Sequence, residues 1–320
     1  NGYILGEVSA RESRLRQFSQ DKSILSVKPN LVMFPWITDD IRKIMRFSWQ
    51  LAEKKHIFNI TARGYGGSTD GSSLGDGVIV DVSRHMNKIY ELDLKQRLVR
   101  VAAGANFREL NLALGAQALT IAQSPAGEKL TVGGAIAQNL PAEKFNYGEL
   151  IDAVVKMEVV LSNGEVIQTE RISKRELSQK QGLQTMEGEI YRQIEGLIEE
   201  NLDLIETKIQ EDSSYGYSGI TKVRGKDGSF DLTPLFFGSL GTLGIITELV
   251  LKAEFIVDET DFMVASFANR DDARDYIDSI IKLNPNILEM YDGKLFESAV
   301  ATGKKYRFYI DRVAKKLKTK

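Results

Sequence analysis

The stretch Ala62-Arg63-Gly64-Tyr65-Gly66-Gly67-Ser68-Thr69-Asp70-Gly71 decides how this chain is read. Upstream, His56-Ile57-Phe58-Asn59-Ile60-Thr61 is rich in β-forming residues; downstream, Val78-Ile79-Val80-Asp81-Val82 has the texture of a buried strand. Glycine takes positive φ at little cost and leaves no side chain in a ligand's way. Successive N–H groups in such a turn form a concave nest for phosphate oxygens. An ordinary glycine-rich surface turn would have the same composition. The run is not G-x-G-x-x-G between strand and helix, and no Gly-Lys-Ser/Thr follows, so neither the dinucleotide fingerprint nor the P-loop applies.

Working outward, Thr38-Asp39-Asp40 reads as a hydroxyl N-cap followed by two acids. Ile41, Ile44, Met45, Leu51 and Ala52 then line one helix face to about Lys55. Strands are expected at Ile57–Ala62, Val78–Val82, Leu98–Ala102 and Asp152–Leu161, the last returning through Val166–Thr169. Asn163-Gly164 between those two suits a type I′ hairpin turn. Asn106 caps a helix through about Ala118 with Leu110, Ala113 and Leu114 inward. Glu187–Ile209 reads as one long acidic helix, and Ser213–Gly219 as a loop. A second glycine element spans Pro125-Ala126-Gly127-Glu128-Lys129-Leu130-Thr131-Val132-Gly133-Gly134, and a third spans Phe237 to Glu248. Near Glu254 the texture changes, with a strand over Phe262–Phe267 and a helix over Asp271–Leu283, its Ala273, Tyr276, Ile277 and Ile280 inward. Domains are expected at 1–26 (an N-terminal arm), 27–255 and 256–320.

Of 320 residues, 42% are hydrophobic and 27% charged, with a net charge of −2. These are values of a globular chain with no global attraction to nucleic acid. With no cysteine, disulfides, thiolate catalysis and Cys-bound metals are excluded within the chain. His56 and His85 are the only histidines, so no His-based metal motif exists; a carboxylate site stays open, and no metal is assigned. Residues 304–320 hold eight Lys/Arg against Asp311, a tail suited to peripheral contact with a membrane surface or to a solvated end. No apolar run approaches a membrane span. No signal peptide is visible in the sequence, and the expected compartment is the cytoplasm. The sequon Asn59-Ile60-Thr61 falls in an expected buried strand and is read as chance.

Three glycine clusters at strand ends suit one extended ligand touching several loops. Their order and spacing resemble the FAD-binding domain of the vanillyl-alcohol oxidase/p-cresol methylhydroxylase (PCMH-type) superfamily, nearest its D-lactate dehydrogenase and glycolate oxidase flavoprotein subunit group. Arg63 to Ser68 resembles that family's pyrophosphate loop. Val80 to Asn87, Val101 to Ala105, Thr131-Val132-Gly133-Gly134 with Asn139, Tyr147-Gly148, Glu158 to Glu165 and Gly238 to Glu248 resemble its later signatures in order. Phe18 to Ser23 resembles an upstream "y-S-t-D-x-S".

The resemblance implies an α+β, two-lobed FAD-binding domain followed by the start of an α+β substrate cap. It implies that Gly64, Tyr65, Gly66, Gly67 and Ser68 hold the FAD pyrophosphate. Pro125, Gly127, Thr131, Val132, Gly133 and Gly134 would run along the flavin and ribityl side. Asn139 would sit near the isoalloxazine or pyrophosphate, and Ile245 at the adenine–ribose end. Arg63 either pairs with phosphate or supports the loop from behind, the second reading being favoured. The stretch after Asn139 is Leu140-Pro141-Ala142-Glu143 rather than glycine-rich, and Leu240 stands where the family has Glu. Neither histidine occupies the first-loop position, which implies noncovalent FAD.

The implied activity is an FAD-dependent oxidoreductase acting on a hydroxyl-bearing carbon, such as that of a D-2-hydroxy acid, with electrons passed to an unidentified acceptor. The base is not identified; Tyr147, Tyr215, Tyr217 and Glu143 are weak candidates. The family's His-rich cap motif is missing, and residues 256–320 resemble only the opening of that cap. An alternative is a flavin-binding subunit whose substrate site a partner completes. A reductase resembling the UDP-N-acetylenolpyruvoylglucosamine reductases ranks last.

Overall fold

The computed structural model describes residues 4–127, 129–211, 217–256, 263–294 and 301. Two compact units emerge. One takes Asn1–Glu143 and Gly148–Ile256, the other Lys144–Tyr147 and the chain from Val257.

The first unit opens with β1 (Glu7–Ser9), α1 (Glu12–Gln17), β2 (Leu31–Phe34), α2 (Thr38–Glu53), β3 (Ile60–Arg63) and β4 (Val78–Asp81). It continues with β5 (Ile89–Asp93), β6 (Leu98–Ala102), α3 (Phe107–Gly115), β7 (Leu119–Thr120), α4 (Val132–Ala137), β8 (Val154–Val160) and β9 (Val166–Glu170). Helices α5 (Lys174–Gln181), α6 (Met186–Glu200) and α7 (Leu202–Glu211) lead to β10 (Ile245–Lys252) and β11 (Glu254–Phe255).

Two sheets make the two lobes. The first has the order β1-β2-β4-β3; β1 is antiparallel to β2, while β2, β4 and β3 run parallel. Strand β4 lies between two neighbours and is buried at every position. Its continuous apolar run, with no alternation, follows from having both faces covered. The second sheet is antiparallel, β5-β6-β10-β8-β9. Its inner face packs on α3 and α4 through Val99, Val101, Leu110, Leu114, Ile136 and Leu249. A second cluster takes Met33, Ile41 and Val80 from the first sheet's side and Ala102, Val160 and Ile245 from the other sheet. This shared cluster welds the lobes and brings the carboxyl ends of β3 and β4 beside the end of β6. The two-lobed α+β architecture is the one expected from the sequence.

Buried Asp40 carries the start of the chain. It is 0% exposed. Its carboxylate accepts the backbone N–H groups of Leu5 (2.7 Å), Gly6 (3.0 Å) and Trp36 (3.0 Å). Asp40→Asn puts an amide NH2 against one of these donors; a loss of about 2 kcal/mol is expected, read as a shifted denaturation midpoint at unchanged slope.

Several elements differ from expectation. The N-cap of α2 is Ile37, and the Thr38 hydroxyl donates instead to Glu158 Oε1 at 2.8 Å. Strand β3 begins at Ile60, leaving Asn59 exposed and bonded to Asp76, so the sequon is not in a buried strand. Helix α3 turns Phe107, not Ala113, to the core. The segment before Val154 is a 3-10 turn, because Glu149 and Asp152 cap it reciprocally. In the β8–β9 hairpin, positive φ falls on Gly164 (80°) and not on Asn163. Asn163 spends its side chain on the Glu165 N–H, so the turn is not type I′. The long acidic helix breaks at Asn201, whose amide donates to Leu197 O at 2.8 Å and whose φ,ψ (−125°, 24°) leaves the helix. Helix α5, which the sequence reading passed over, starts on a capping box of Ser173 and Glu176.

In the second unit, α8 (Arg270–Ile280) is capped by Asn269, whose side chain accepts from Asp272 N at 2.9 Å. Ala273, Ile277 and Ile280 are half-buried, while Tyr276 is exposed and stacks on Phe267 with centroids 5.2 Å apart. Residues 263–267 form no strand, since no neighbour among the described residues pairs with them; Phe262 lies outside the described residues. The same holds for the basic stretch 304–320 and for residues 212–216, including Tyr215.

Candidate cofactor site

A cleft of about 780 Å³, counted with its open mouth, opens where the strand ends of the two lobes meet. One wall is the loop after β3, Gly64 to Ser68. The opposite wall is Thr131, Gly133 and Gly134 at the start of α4, and Leu240, Gly241 and Ile245 close the end.

The loop is built for an acceptor that the protein does not supply. Among the described residues, the backbone N–H groups of Gly64, Tyr65, Gly66, Gly67 and Ser68 donate to no protein acceptor. Backbone donors left without partners at a cleft wall are exceptional unless a ligand or water takes them. The walls also approach closely. A Cβ on Gly64 would fall 2.3 Å from Thr131 Oγ1 of the opposite wall; within the loop itself, one on Gly67 would fall 2.2 Å from the Tyr65 hydroxyl. Gly66 sits at φ 78°, where an L side chain is strained. This donor set matches the oxygens of a diphosphate.

Arg63 stands behind the loop. It is 7% exposed and donates to the carbonyls of Gln20 (2.8 Å), Phe18 (3.4 Å) and Ser73 (3.4 Å). Burial pulls its guanidinium below the usual range, while Asp81 and Asp21 pull it back up. Of the two roles open to it, the geometry is that of support from behind. The same strap of chain reaches the loop again where Lys22 N donates to Ser68 O at 2.9 Å and where Ser73 Oγ donates to Asp21 at 3.0 Å.

Ser68 departs from the simple expectation. Its hydroxyl donates to Asp70 and lies 3.0 Å from Ser72 Oγ. Burial pushes the Asp70 carboxyl up, but the bonds from Ser68 and Ser72 outweigh it and hold the group below its ordinary range. Thus the Ser68 hydroxyl is taken up in shaping the loop, and its backbone N–H is left without a protein acceptor.

Of the residues expected at the site, Gly64, Tyr65, Gly66, Gly67, Ser68, Thr131, Gly133, Gly134 and Ile245 line this cleft. Pro125, Gly127, Val132 and Asn139 are not among the lining residues. Val132 is fully buried in the core, with its N–H on Ala105 O. Asn139 is exposed at φ 48°, just beyond α4. Its neighbour Gln138 lines the cleft instead and reaches Ser72 Oγ at 3.4 Å. Ser72, Ala103 and Gly241 also line it. Gly241 had a signal in the sequence through the third glycine cluster, and Ala103 through the signature Val101 to Ala105; Ser72 had none. His85 pairs with Glu7 (3.0 Å), His56 is exposed beyond α2, and neither lines the cleft. The Tyr217 hydroxyl lies 2.6 Å from Thr242 Oγ1. Glu143 belongs to the first unit and Tyr147 to the second.

A two-lobed α+β frame with a nest of free backbone donors between the lobes defines a class of nucleotide-cofactor domain. The chain carries a PCMH-type FAD-binding domain: residues 29–170 match the family described as FAD binding domain. Its relatives include the D-2-hydroxyglutarate dehydrogenase of Pseudomonas putida, 29% identical over 94% of this chain and 30% of that protein. The glycolate oxidase subunit GlcD of Bacillus subtilis is 27% identical over 82% of this chain and 46% of that protein. The chain thus spans about a third to a half of the length of these curated relatives. Among solved structures, an alkyldihydroxyacetonephosphate synthase superposes with a TM-score of 0.54 at 16% identity, covering 79% of this chain and 38% of that one. That likeness concerns the fold. FAD is the cofactor the matched domain family supports.

Proposed function

We propose that this chain is the FAD-holding part of an oxidoreductase that oxidises the hydroxyl-bearing carbon of a small 2-hydroxy acid. The observation that carries the reading is the row of five unpartnered N–H groups at the cleft wall. Bound FAD would supply the hydride acceptor for the carbinol carbon. The residues of the first loop would hold the diphosphate, Gly64 to Ser68 by their N–H groups. Thr131 makes no cap bond to its own helix, so its side chain is free to face the cofactor across from Gly64. Pro125, Gly127, Val132 and Asn139 remain proposed as neighbours of the flavin side, and Ile245 as a neighbour of the adenine–ribose end. The printed activities of the relatives support a D-2-hydroxy acid as substrate. Electrons would pass on to a separate acceptor.

The absence of a histidine from the lining supports noncovalent attachment. Among the described residues no helix is long and apolar enough to cross a membrane. A cytoplasmic setting, with the basic segment 304–320 touching anionic surfaces, is part of the proposal.

The test is reconstitution. Purified protein should take up FAD, show the flavin absorption bands, and release the colour to the supernatant on acid precipitation. Anaerobic addition of D-2-hydroxyglutarate, D-lactate and glycolate should then bleach the bands for at least one of them. Protein that stays colourless with excess FAD would refute the cofactor reading; loading without bleaching would refute the substrate class for this chain.

A further inference from the structure

The geometry points to Arg63 as the buried counter-ion of the cofactor's diphosphate, a positioning residue that acts through the loop backbone without touching the phosphates. This rests on the cofactor reading above.

Three observations carry it. First, the guanidinium lies directly beneath the loop: a Cβ on Gly66 would fall 2.2 Å from Arg63 Nη2 and 2.7 Å from Cζ. Second, the charge is buried and poorly compensated. Its hydrogen bonds all go to backbone carbonyls, and it stacks on the Phe18 ring at 5.0 Å. Among the described residues no carboxylate lies within ion-pairing distance of it. The nearest acids act on it only at longer range and have their own donors: Asp21 takes Ser23 N and Ser73 Oγ, and Asp81 takes the N–H and hydroxyl of Ser83. A buried cation held by neutral acceptors is costly. Third, among the described residues Arg63 is the one Lys or Arg that lines the cleft. The other charge in the loop is Asp70, which has the wrong sign for a diphosphate.

These facts fit together if the positive charge is answered only when a diphosphate sits on the far side of the loop. In a site of low polarity one charge acts across several ångströms with little screening. The carbonyls of Phe18, Gln20 and Ser73 then do two things. They fix the guanidinium under Gly66, and they transmit the position of the N-terminal strap to the nest.

The test compares Arg63→Gln and Arg63→Lys with the wild type, reading the dissociation constants of FAD and ADP and the thermal midpoint of each cofactor-free protein. Arg63→Gln is expected to weaken both ligands about 30-fold, the effect of one unit charge about 8 Å away at an effective dielectric of about 20. Its cofactor-free midpoint should move little, because relief of the buried charge offsets the lost bonds. Arg63→Lys should recover most of the affinity. Equal affinity in Arg63→Gln and wild type would overturn the proposal. So would Arg63→Lys binding as weakly as Arg63→Gln, since shape rather than charge would then matter. If Arg63→Gln does not fold, Asp81→Asn tests the field from the other side: it should tighten FAD a few-fold, and unchanged or weaker binding would overturn the proposal. Wild-type protein that binds neither FAD nor ADP would instead remove the cofactor reading itself.

Discussion

Gly104→Ala is expected to abolish the folded state, with a loss of about 4 kcal/mol or more. Gly104 follows β6 at the crossing of the two lobes. A Cβ there would fall 2.0 Å from Val82 O and 2.5 Å from Met86 O. Both obstacles are backbone, and neither can rotate away as a side chain would. Met86 O already accepts the Gly104 N–H at 2.8 Å, and Ala103 N donates to Thr247 O at 2.9 Å, so the segment is pinned from both lobes. The chain must therefore open the interlobe cluster of Val82, Ala102 and Ile245 to admit one methyl group. Far-ultraviolet circular dichroism and urea titration should show a lowered, broadened transition or insoluble protein. Gly115→Ala is the control: nothing lies within 4 Å of a Cβ there, and no loss is expected.

Gly66→Ala should fold and yet fail to hold FAD, with affinity lower by about 100-fold, or about 2.7 kcal/mol. Two effects combine. At φ 78° an L residue is disfavoured by about 1–2 kcal/mol. The added methyl also meets the Arg63 guanidinium at 2.2 Å, and that group is anchored by three carbonyls. The loop must therefore lift, which misaligns the N–H groups on both sides of Gly66. Weakened FAD binding in equilibrium dialysis, with a thermal midpoint lowered by a few degrees and the fold retained, is the expected pair of results. A variant that loads FAD normally would show that the nest is not where the diphosphate sits.

Much of this site was legible because glycine is conspicuous. Gly64, Gly66 and Gly67 announced a backbone-donor loop, and Thr131 with Gly133 and Gly134 its opposite wall. The strand Leu98–Ala102 was legible to the residue because its neighbours cover it and its β-branched residues alternate with Arg100. What escaped depends on long-range partners. Nothing near Asp40 in sequence reveals that Leu5 and Gly6 will bring it two N–H groups. Asn139 and Gln138 are adjacent polar amides, and only the three-dimensional end of α4 decides that Gln138 faces the cleft. Asn163 and Asn201 misled for one reason: a short amide can bond its own backbone, which moves a turn type or ends a helix without changing hydrophobic periodicity.

The strand order β5-β6-β10-β8-β9 has a consequence for how the chain is made. The middle strand of the sheet is the last of the five in sequence. Until Ile245–Lys252 leaves the ribosome, β6 and β8 each present a bare edge, Val99 and Val101 on one side and Met157 and Val159 on the other. Such edges pair readily with strangers. A nascent chain stalled before Ile245 is therefore the form most exposed to aggregation. It also lacks the strand that welds the lobes, so the cofactor cleft can close only at the end of synthesis of this unit.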